Sequence, residues 1–284
     1  MRSKGRLWGY LGFGYGWTWC FWTIACLWGT SIWLPPALWF FLIGGLGVPL
    51  GGIVMNRLVY GGSGLRDLAR RIVDPTRIPG RWWAVVLLFF PFLTLLAGSV
   101  AGAIGAKSPL DLAGALVLVT NPVNLASLML FTLVIGPLPE EIGWRGYFLD
   151  QVQTRLSALS ASLVVGVLHW GWHLPLFLLP GYWAAFNAVP PTPLDLAFVV
   201  LPATVLYTWV YNNTGRSVLA VILFHFTGNF SGEFFGISPE ALTYRLVLTV
   251  VAVVVIVWWW RPNTLRRDRQ LRSSNPDSRP NSIR

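Results

Sequence analysis

The chain has 284 residues, of which 55% are hydrophobic and only 11% are charged. Because soluble domains carry about 25% charged residues, this composition excludes an ordinary water-soluble domain. The net charge of +10 would suit a nucleic-acid-binding protein, but the basic residues are distributed as in a membrane protein. We therefore expect the lipid bilayer, and no nucleic acid, as the partner.

Apolar stretches follow one another along the chain, and a helix needs about 20 apolar residues to cross a bilayer. Leu7–Asn56 has no charged residue and is long enough for two spans, with a break at Pro35-Pro36. Six further spans are predicted in Trp82–Ala106, Leu112–Pro139, Leu156–Leu194 (one span, then a loop from Pro180 to Pro193), Leu196–Gly215, Ser217–Gly232 and Ala241–Trp260. We therefore predict an all-α, polytopic integral membrane bundle of about eight transmembrane helices.

The positive charges predict the orientation of this bundle. With eight spans and a cytoplasmic N-terminus, all of the 21 Lys and Arg residues except Lys107 and Arg245 fall on the cytoplasmic side, in agreement with the positive-inside rule. Arg245 lies near the start of the last span, where its long side chain can extend to the interface. Both termini are therefore predicted to be cytoplasmic.

Composition divides the chain into a membrane domain, residues 1–260, and a basic tail, residues 261–284. The tail has three prolines, seven arginines and almost no large apolar residue, so it is predicted to be disordered. Within the membrane domain, the connector Gly61–Gly80 alternates leucines with arginines. This pattern predicts a short amphipathic helix on the membrane surface.

Two adjacent carboxylates, Glu140 and Glu141, close the uncharged run Leu112–Pro139. An ionised group costs about 2.5–3.5 kcal/mol in the middle of a bilayer, so such groups indicate function. On a helix Glu141 and Arg145 share a face, whereas Glu140 points about 100° away. One carboxylate is thus predicted to be structural, and the other to be available for chemistry. The alternative is that the whole cluster caps a helix end at the interface.

The three histidines all follow in later apolar runs. His169 and His173 are four residues apart and share one helix face, but they lack the intervening glutamate of the common zinc-protease motif. His225 and Asn229 are spaced in the same way. For each of these groups, a hydrogen bond between packed helices is the alternative to a role in chemistry.

Taken together, Glu140, His173, His225 and Asn229 can hydrolyse an amide. A carboxylate assisted by an imidazole can deprotonate water, while a second imidazole and an amide can donate hydrogen bonds to the oxyanion. Equally, Glu140, His173 and His225 would form a His2Glu zinc site. The spacing alone does not decide between a zinc site and a metal-free site.

Three motifs therefore follow one another in this membrane chain: Glu140-Glu141-x-x-x-Arg145, Trp170-Gly171-Trp172-His173 and His225-x-x-x-Asn229. In this order they resemble the CPBP (CAAX protease and bacteriocin-processing) intramembrane proteases. The resemblance implies that Glu140 and His173 activate water and that His225 and Asn229 form the oxyanion site. It also implies that Glu141 and Arg145 have supporting roles.

His169 departs from the family pattern, which usually has Trp or Phe four residues before the motif histidine. It is expected either to line the same cavity, as an extra ligand or proton carrier, or to be a tolerated aromatic substitute.

The expected function is that of an intramembrane endopeptidase, similar to CAAX prenyl endopeptidases, that cuts a peptide bond near the cytoplasmic face. Its partner is a peptide or protein substrate, which can carry a lipid. The family is classed among the metallopeptidases, but we prefer a metal-free glutamate mechanism. A zinc site would need Glu141 as its base, and pairing with Arg145 lowers the basicity of Glu141.

The alternative function is a non-proteolytic scaffold or a bacteriocin self-immunity protein that binds a peptide in the same cavity. A transporter is not expected, because the sequence shows no repeated halves.

Overall fold

A computed structural model describes residues 3–185 and 190–266. Its helices are α1 (Ser3–Leu27), α2 (Ala37–Gly45), α3 (Gly47–Val73), α4 (Gly80–Ala103), α5 (Leu112–Thr120), α6 (Pro122–Ile135), α7 (Pro137–Gly143), α8 (Leu149–Gln153), α9 (Ala158–Trp172), α10 (Pro193–Asn213), α11 (Val218–Phe234) and α12 (Pro239–Trp260). A π-helix, Trp144–Phe148, joins α7 to α8. The described residues contain no strand, so the predicted all-α fold is confirmed.

Five helical stretches of the described residues are long and apolar enough to cross a membrane: Ala37–Val73, Gly80–Ala103, Pro122–Gln153, Pro193–Asn213 and Pro239–Trp260. The 25-residue α1, the 15-residue α9 and the 17-residue α11 lie where the other predicted spans were placed. Together they form a polytopic helical bundle.

Polar side chains determine where many of these helices begin. Six N-cap side chains each accept a hydrogen bond from a backbone N–H of the first turn: Asp111, Asn121, Ser157, Thr192, Ser217 and Ser238. Such caps replace hydrogen bonds that the helix itself cannot make. At Asn121 the cap, with Pro122 after it, divides the predicted span Leu112–Pro139 into α5 and α6. The spanning segment starts at Pro122 and continues to Gln153, so the paired glutamates lie within it.

The connector between the second and third spans is helical as predicted, but it is not wholly a surface element. Gly61, with φ of 66°, separates the spanning part of α3 from its last turns. Arg71, which the alternating pattern placed on the polar face, is only 2% exposed. Its side chain turns into the bundle because it pairs with Asp67 and Asp150.

The arginines gather at one end of the bundle, which we call the arginine-rich end. Arg71 and Arg216 both pair with Asp150, and Arg77 donates to the carbonyl of Gly215. Of the predicted tail, residues 267–284 lie outside the described residues. Residues 261–266 pack against this same end, where the carbonyl of Asn263 accepts a hydrogen bond from the backbone N–H of Ala158.

Candidate active site

The two glutamates occupy a short helix that starts at a break in the chain. Gly136 ends α6 with non-helical angles, and Pro137 occupies the first turn of α7. Glu140 is 7% exposed and Glu141 is fully buried. The π-helix that follows is of a kind often found at functional sites. Because both carboxylates are buried inside the bundle, a helix-end cap at the interface does not account for them.

Glu141 is held by a cation and by an imidazole. Arg145 Nη1 donates to both of its carboxylate oxygens, at 3.1 and 3.0 Å, and His225 Nδ1 lies 2.9 Å from Oε1. Arg145 is itself fully buried. Tyr207 connects the two partners, because its ring stacks on His225 with the centroids 4.7 Å apart and lies 5.0 Å below the Arg145 guanidinium. The predicted Glu141–Arg145 pair is thus present in the structure.

Glu140 makes a separate set of contacts with the two histidines of α9. His169 Nε2 lies 2.8 Å from Glu140 Oε2, and His173 Nε2 lies 3.6 Å from Oε1. His173 Nδ1 is 2.9 Å from the carbonyl oxygen of His169. In the neutral His173 ring, Nδ1 carries the proton and donates it to that carbonyl. Nε2 is then unprotonated and can accept a hydrogen bond. Glu140 therefore presents Oε1 beside an imidazole nitrogen that can also accept a proton.

His169 is more than an aromatic substitute. It is 2% exposed, and its ring packs against Trp144 and His173 with centroids 5.1 and 4.9 Å away. Its Nδ1 is buried without a hydrogen-bond partner. In the neutral His169 ring only one nitrogen carries a proton. When Nε2 carries it and donates to Glu140, Nδ1 has no proton to donate. His169 therefore fixes one oxygen of Glu140 and leaves the other free.

Asn229 and Glu140 both lie close to Gly136. A methyl group built on Gly136 would lie 3.6 Å from Glu140 Oε1 and 3.7 Å from Asn229 Nδ2. The two side chains therefore border one small volume that the missing Cβ of Gly136 keeps open. Asn229 is itself exposed, so this volume connects to the surface of the bundle.

The predicted group Glu140, His173, His225 and Asn229 is thus brought together, with one difference in pairing. His225 contacts Glu141 rather than Glu140, and His169 takes the place next to Glu140. The sequence did not indicate Tyr207, because a tyrosine in an apolar run looks the same whether it packs in a core or supports a site.

The site lies well inside the bundle. From the arginine-rich end, His225 is seven residues into α11 and His173 directly follows the 15-residue α9. At about 1.5 Å per residue these positions correspond to depths of roughly 10 and 22 Å. Both side chains therefore lie within the bundle rather than at its arginine-rich end.

An apolar cavity of about 280 Å³ opens beside Glu140 and His173. Its walls come from α1, α2, α6, α7 and the turn after α9, and include Trp22, Phe41, Leu46, Ile135, Trp172 and Leu176. Leu46 is 46% exposed, so the cavity borders the lipid-facing surface at α2. A group bound there would be surrounded by hydrocarbon on nearly every side except that of the carboxylate.

The donor atoms of Glu140, His169 and His173 lie within 4.8 Å of one another. One carboxylate and two imidazoles form a set that zinc binds, so these three residues could hold it, and zinc would activate water and polarise the peptide carbonyl. The set differs from the predicted one, in which His225 stood in place of His169. With Glu140 as a ligand, the base would have to be Glu141, whose two oxygens already accept hydrogen bonds from Arg145.

Comparison with known proteins agrees with this geometry. A family model described as type II CAAX prenyl endopeptidase Rce1-like matches residues 122–231, a range that contains every predicted site residue. A curated relative, CAAX prenyl protease 2 of Methanococcus maripaludis, is 29% identical over 178 residues, which cover 62% of this chain and 64% of the relative. The chain thus spans somewhat less than two thirds of the length of that relative. The motifs, the helical bundle and both matches agree, and the chain is similar to type II CAAX prenyl endopeptidases of the Rce1-like family.

Proposed function

We propose that this chain is an intramembrane endopeptidase that hydrolyses a peptide bond with water activated by Glu140. The observation that carries the proposal is the free oxygen of Glu140, which lies beside His173 Nε2 at the wall of an apolar cavity. A water molecule that hydrogen-bonds to both atoms at about 2.8 Å would be held for attack on a carbonyl. Glu140 takes a proton from this water as the oxygen attacks, and returns it to the leaving nitrogen as the C–N bond breaks.

The opposite side of the proposed site supplies positive charge. In its doubly protonated form His225 donates Nδ1–H to Glu141 and leaves Nε2–H for the oxyanion, with the Asn229 amide as the second donor. The buried guanidinium of Arg145 forms an ion pair with the same carboxylate. Donors that are already in place in a dry site stabilise a developing oxyanion strongly, because they need no reorganisation.

The substrate is proposed to be a protein whose C-terminal segment enters the membrane from the cytoplasm. The relative named above acts, by its name, on CAAX proteins, in which a cysteine three residues from the C-terminus carries a prenyl group. The apolar cavity beside Glu140 suits a lipid chain on the residue before the cut bond. We also propose that both termini and the arginine-rich end are cytoplasmic, as the positive-inside rule requires.

The test compares peptide cleavage by the wild type and Glu140→Gln, both reconstituted in lipid vesicles. The substrates are a prenylated and an unprenylated Cys-a-a-X peptide, and mass spectrometry identifies the products. Loss of the general base should lower the rate by about 10²–10⁴-fold. Glu240→Gln is the matched control, because Glu240 is exposed at the start of α12. Equal rates for Glu140→Gln and the wild type would overturn the proposal.

A further inference from the structure

One cation inside the bundle has no role in the proposed chemistry. Arg245 lies six residues into α12, where it was expected to extend outwards to the interface. Its guanidinium instead lies 5.5 Å from the centroid of the Phe90 ring, and Nη2 donates to the carbonyl of Gly228 at 2.5 Å. Phe90 is ten residues into the 24-residue α4, roughly 15 Å from the arginine-rich end. The charge therefore turns inwards, towards the middle of the bilayer.

This inward charge is not neutralised by a carboxylate. Within the described ranges, the arginines with an ion pair shorter than 4.0 Å are Arg71, Arg77, Arg145 and Arg216. Glu233 is a carboxylate on the neighbouring α11, but it forms no such pair with Arg245. An ionised side chain at this depth is costly, and where one persists it marks a binding or transport function.

The position of Arg245 relative to the site points to its ligand. Arg245 Nη1 would lie 3.1 Å from a Cβ on Gly232, so the missing side chain of Gly232 makes room for the guanidinium. Gly232 follows His225 by seven residues, which places it on the same face of α11 and about 10 Å further along. The carbonyl of Gly228, which accepts the Arg245 hydrogen bond, also belongs to this face, three residues after His225.

We infer that Arg245 binds the free C-terminal carboxylate of the peptide substrate, an inference that rests on the function proposed above. The guanidinium lies between the levels of Gly228 and Gly232, roughly 5 to 10 Å beyond His225 along α11, and three extended residues reach up to about 10 Å. A peptide cut three residues from its end would thus place its carboxylate beside the guanidinium. A lipid phosphate is disfavoured as the ligand because headgroups lie outside the hydrocarbon core. Arg245 would then select substrates that end shortly after the cut bond.

The experiment uses two peptides that differ only at the C-terminus, one with a free carboxylate and one with a carboxamide. For the wild type in lipid vesicles, kcat/KM should be at least tenfold higher for the carboxylate peptide. In Arg245→Gln this preference should fall to within about twofold, and Arg245→Lys, which keeps the charge, should retain part of it. Lys107→Gln is the control and should keep the full preference, since Lys107 is an exposed cation near the start of α12.

The outcomes separate this inference from the proposed function. If the wild type cuts both peptides equally, or if Arg245→Gln keeps the preference, Arg245 does not bind the carboxylate, although the protein is still a peptidase. If the folded wild type cuts neither peptide, the proposed function fails first. Thermal unfolding of each variant in the same detergent shows whether a lost preference comes with a lost fold, and a preference lost only by unfolded protein would refute the assignment.

Discussion

Replacing Glu141 by glutamine should destabilise the protein far more than the same change at Glu140. Glu141 is fully buried and accepts two hydrogen bonds from Arg145 and a third contact from His225. Glutamine keeps the shape but removes the charge, so Arg145 becomes a buried cation without an ionic partner. Removing one member of a buried pair costs about 3–5 kcal/mol.

Glu140 is the natural comparison because it is adjacent, buried and paired only with histidines. Its two partners can remain neutral, so Glu140→Gln loses hydrogen-bond energy of about 1–2 kcal/mol without leaving an unpaired buried cation. Thermal unfolding in one detergent should therefore show Tm falling by roughly 6–20 °C for Glu141→Gln and by only a few degrees for Glu140→Gln.

A double variant tests the cause of this difference. Adding Arg145→Met to Glu141→Gln removes the orphaned charge, and the double variant should be more stable than Glu141→Gln alone. Equal losses of stability for the two single glutamine variants would show that the Glu141–Arg145 pair is not what holds α7 in place. If Arg145→Met instead added its own full loss of stability to that of Glu141→Gln, the unpaired Arg145 charge would not be the cause of the difference.

Three further predictions follow from individual contacts. Arg71 donates to the carbonyl of Gly146 at 2.8 Å, so Arg71→Ala should destabilise the π-helix and lower activity, whereas the exposed Arg70→Ala should change unfolding by less than about 0.5 kcal/mol. A Cβ on Gly52 would lie 2.9 Å from both Gly143 Cα and the Ile142 carbonyl, so Gly52→Ala should cost about 1–3 kcal/mol in thermal unfolding, while Gly45→Ala, with nothing within 4 Å, should cost much less. Exhaustive chelation should leave cleavage unchanged if Glu140 acts without metal, and stoichiometric zinc lost together with activity and restored with it would contradict this mechanism.

Local spacing predicted the contacts that stay within one helix. Glu141 and Arg145 are four residues apart on α7 and the π-helix, and the structure joins them. The apolar runs that carry the ionisable residues also form the helices that border the candidate site. These features depend on helical periodicity and on the cost of charge in hydrocarbon, both of which can be read from a single sequence.

Contacts between helices could not be predicted in the same way. The sequence does not say how far α9 and α11 are rotated, so it could not assign His169 to Glu140 and His225 to Glu141. The burial of Arg71 depends on Asp150, which lies 79 residues later in the chain, and the inward turn of Arg245 depends on the missing side chain at Gly232. In each case packing between helices, rather than spacing within one, decides where the charge lies.

The central claim, that Glu140 activates water, is tested most directly by a single turnover in water enriched in oxygen-18. An excess of enzyme cuts the peptide once, and mass spectrometry of the new C-terminus reports which oxygen was added. If Glu140 acts as a general base, the new carboxylate carries oxygen-18 from the first turnover, and Glu140→Gln forms essentially no product. An unlabelled new carboxylate would contradict the account, because the added oxygen would then have come from an enzyme carboxylate acting as a nucleophile.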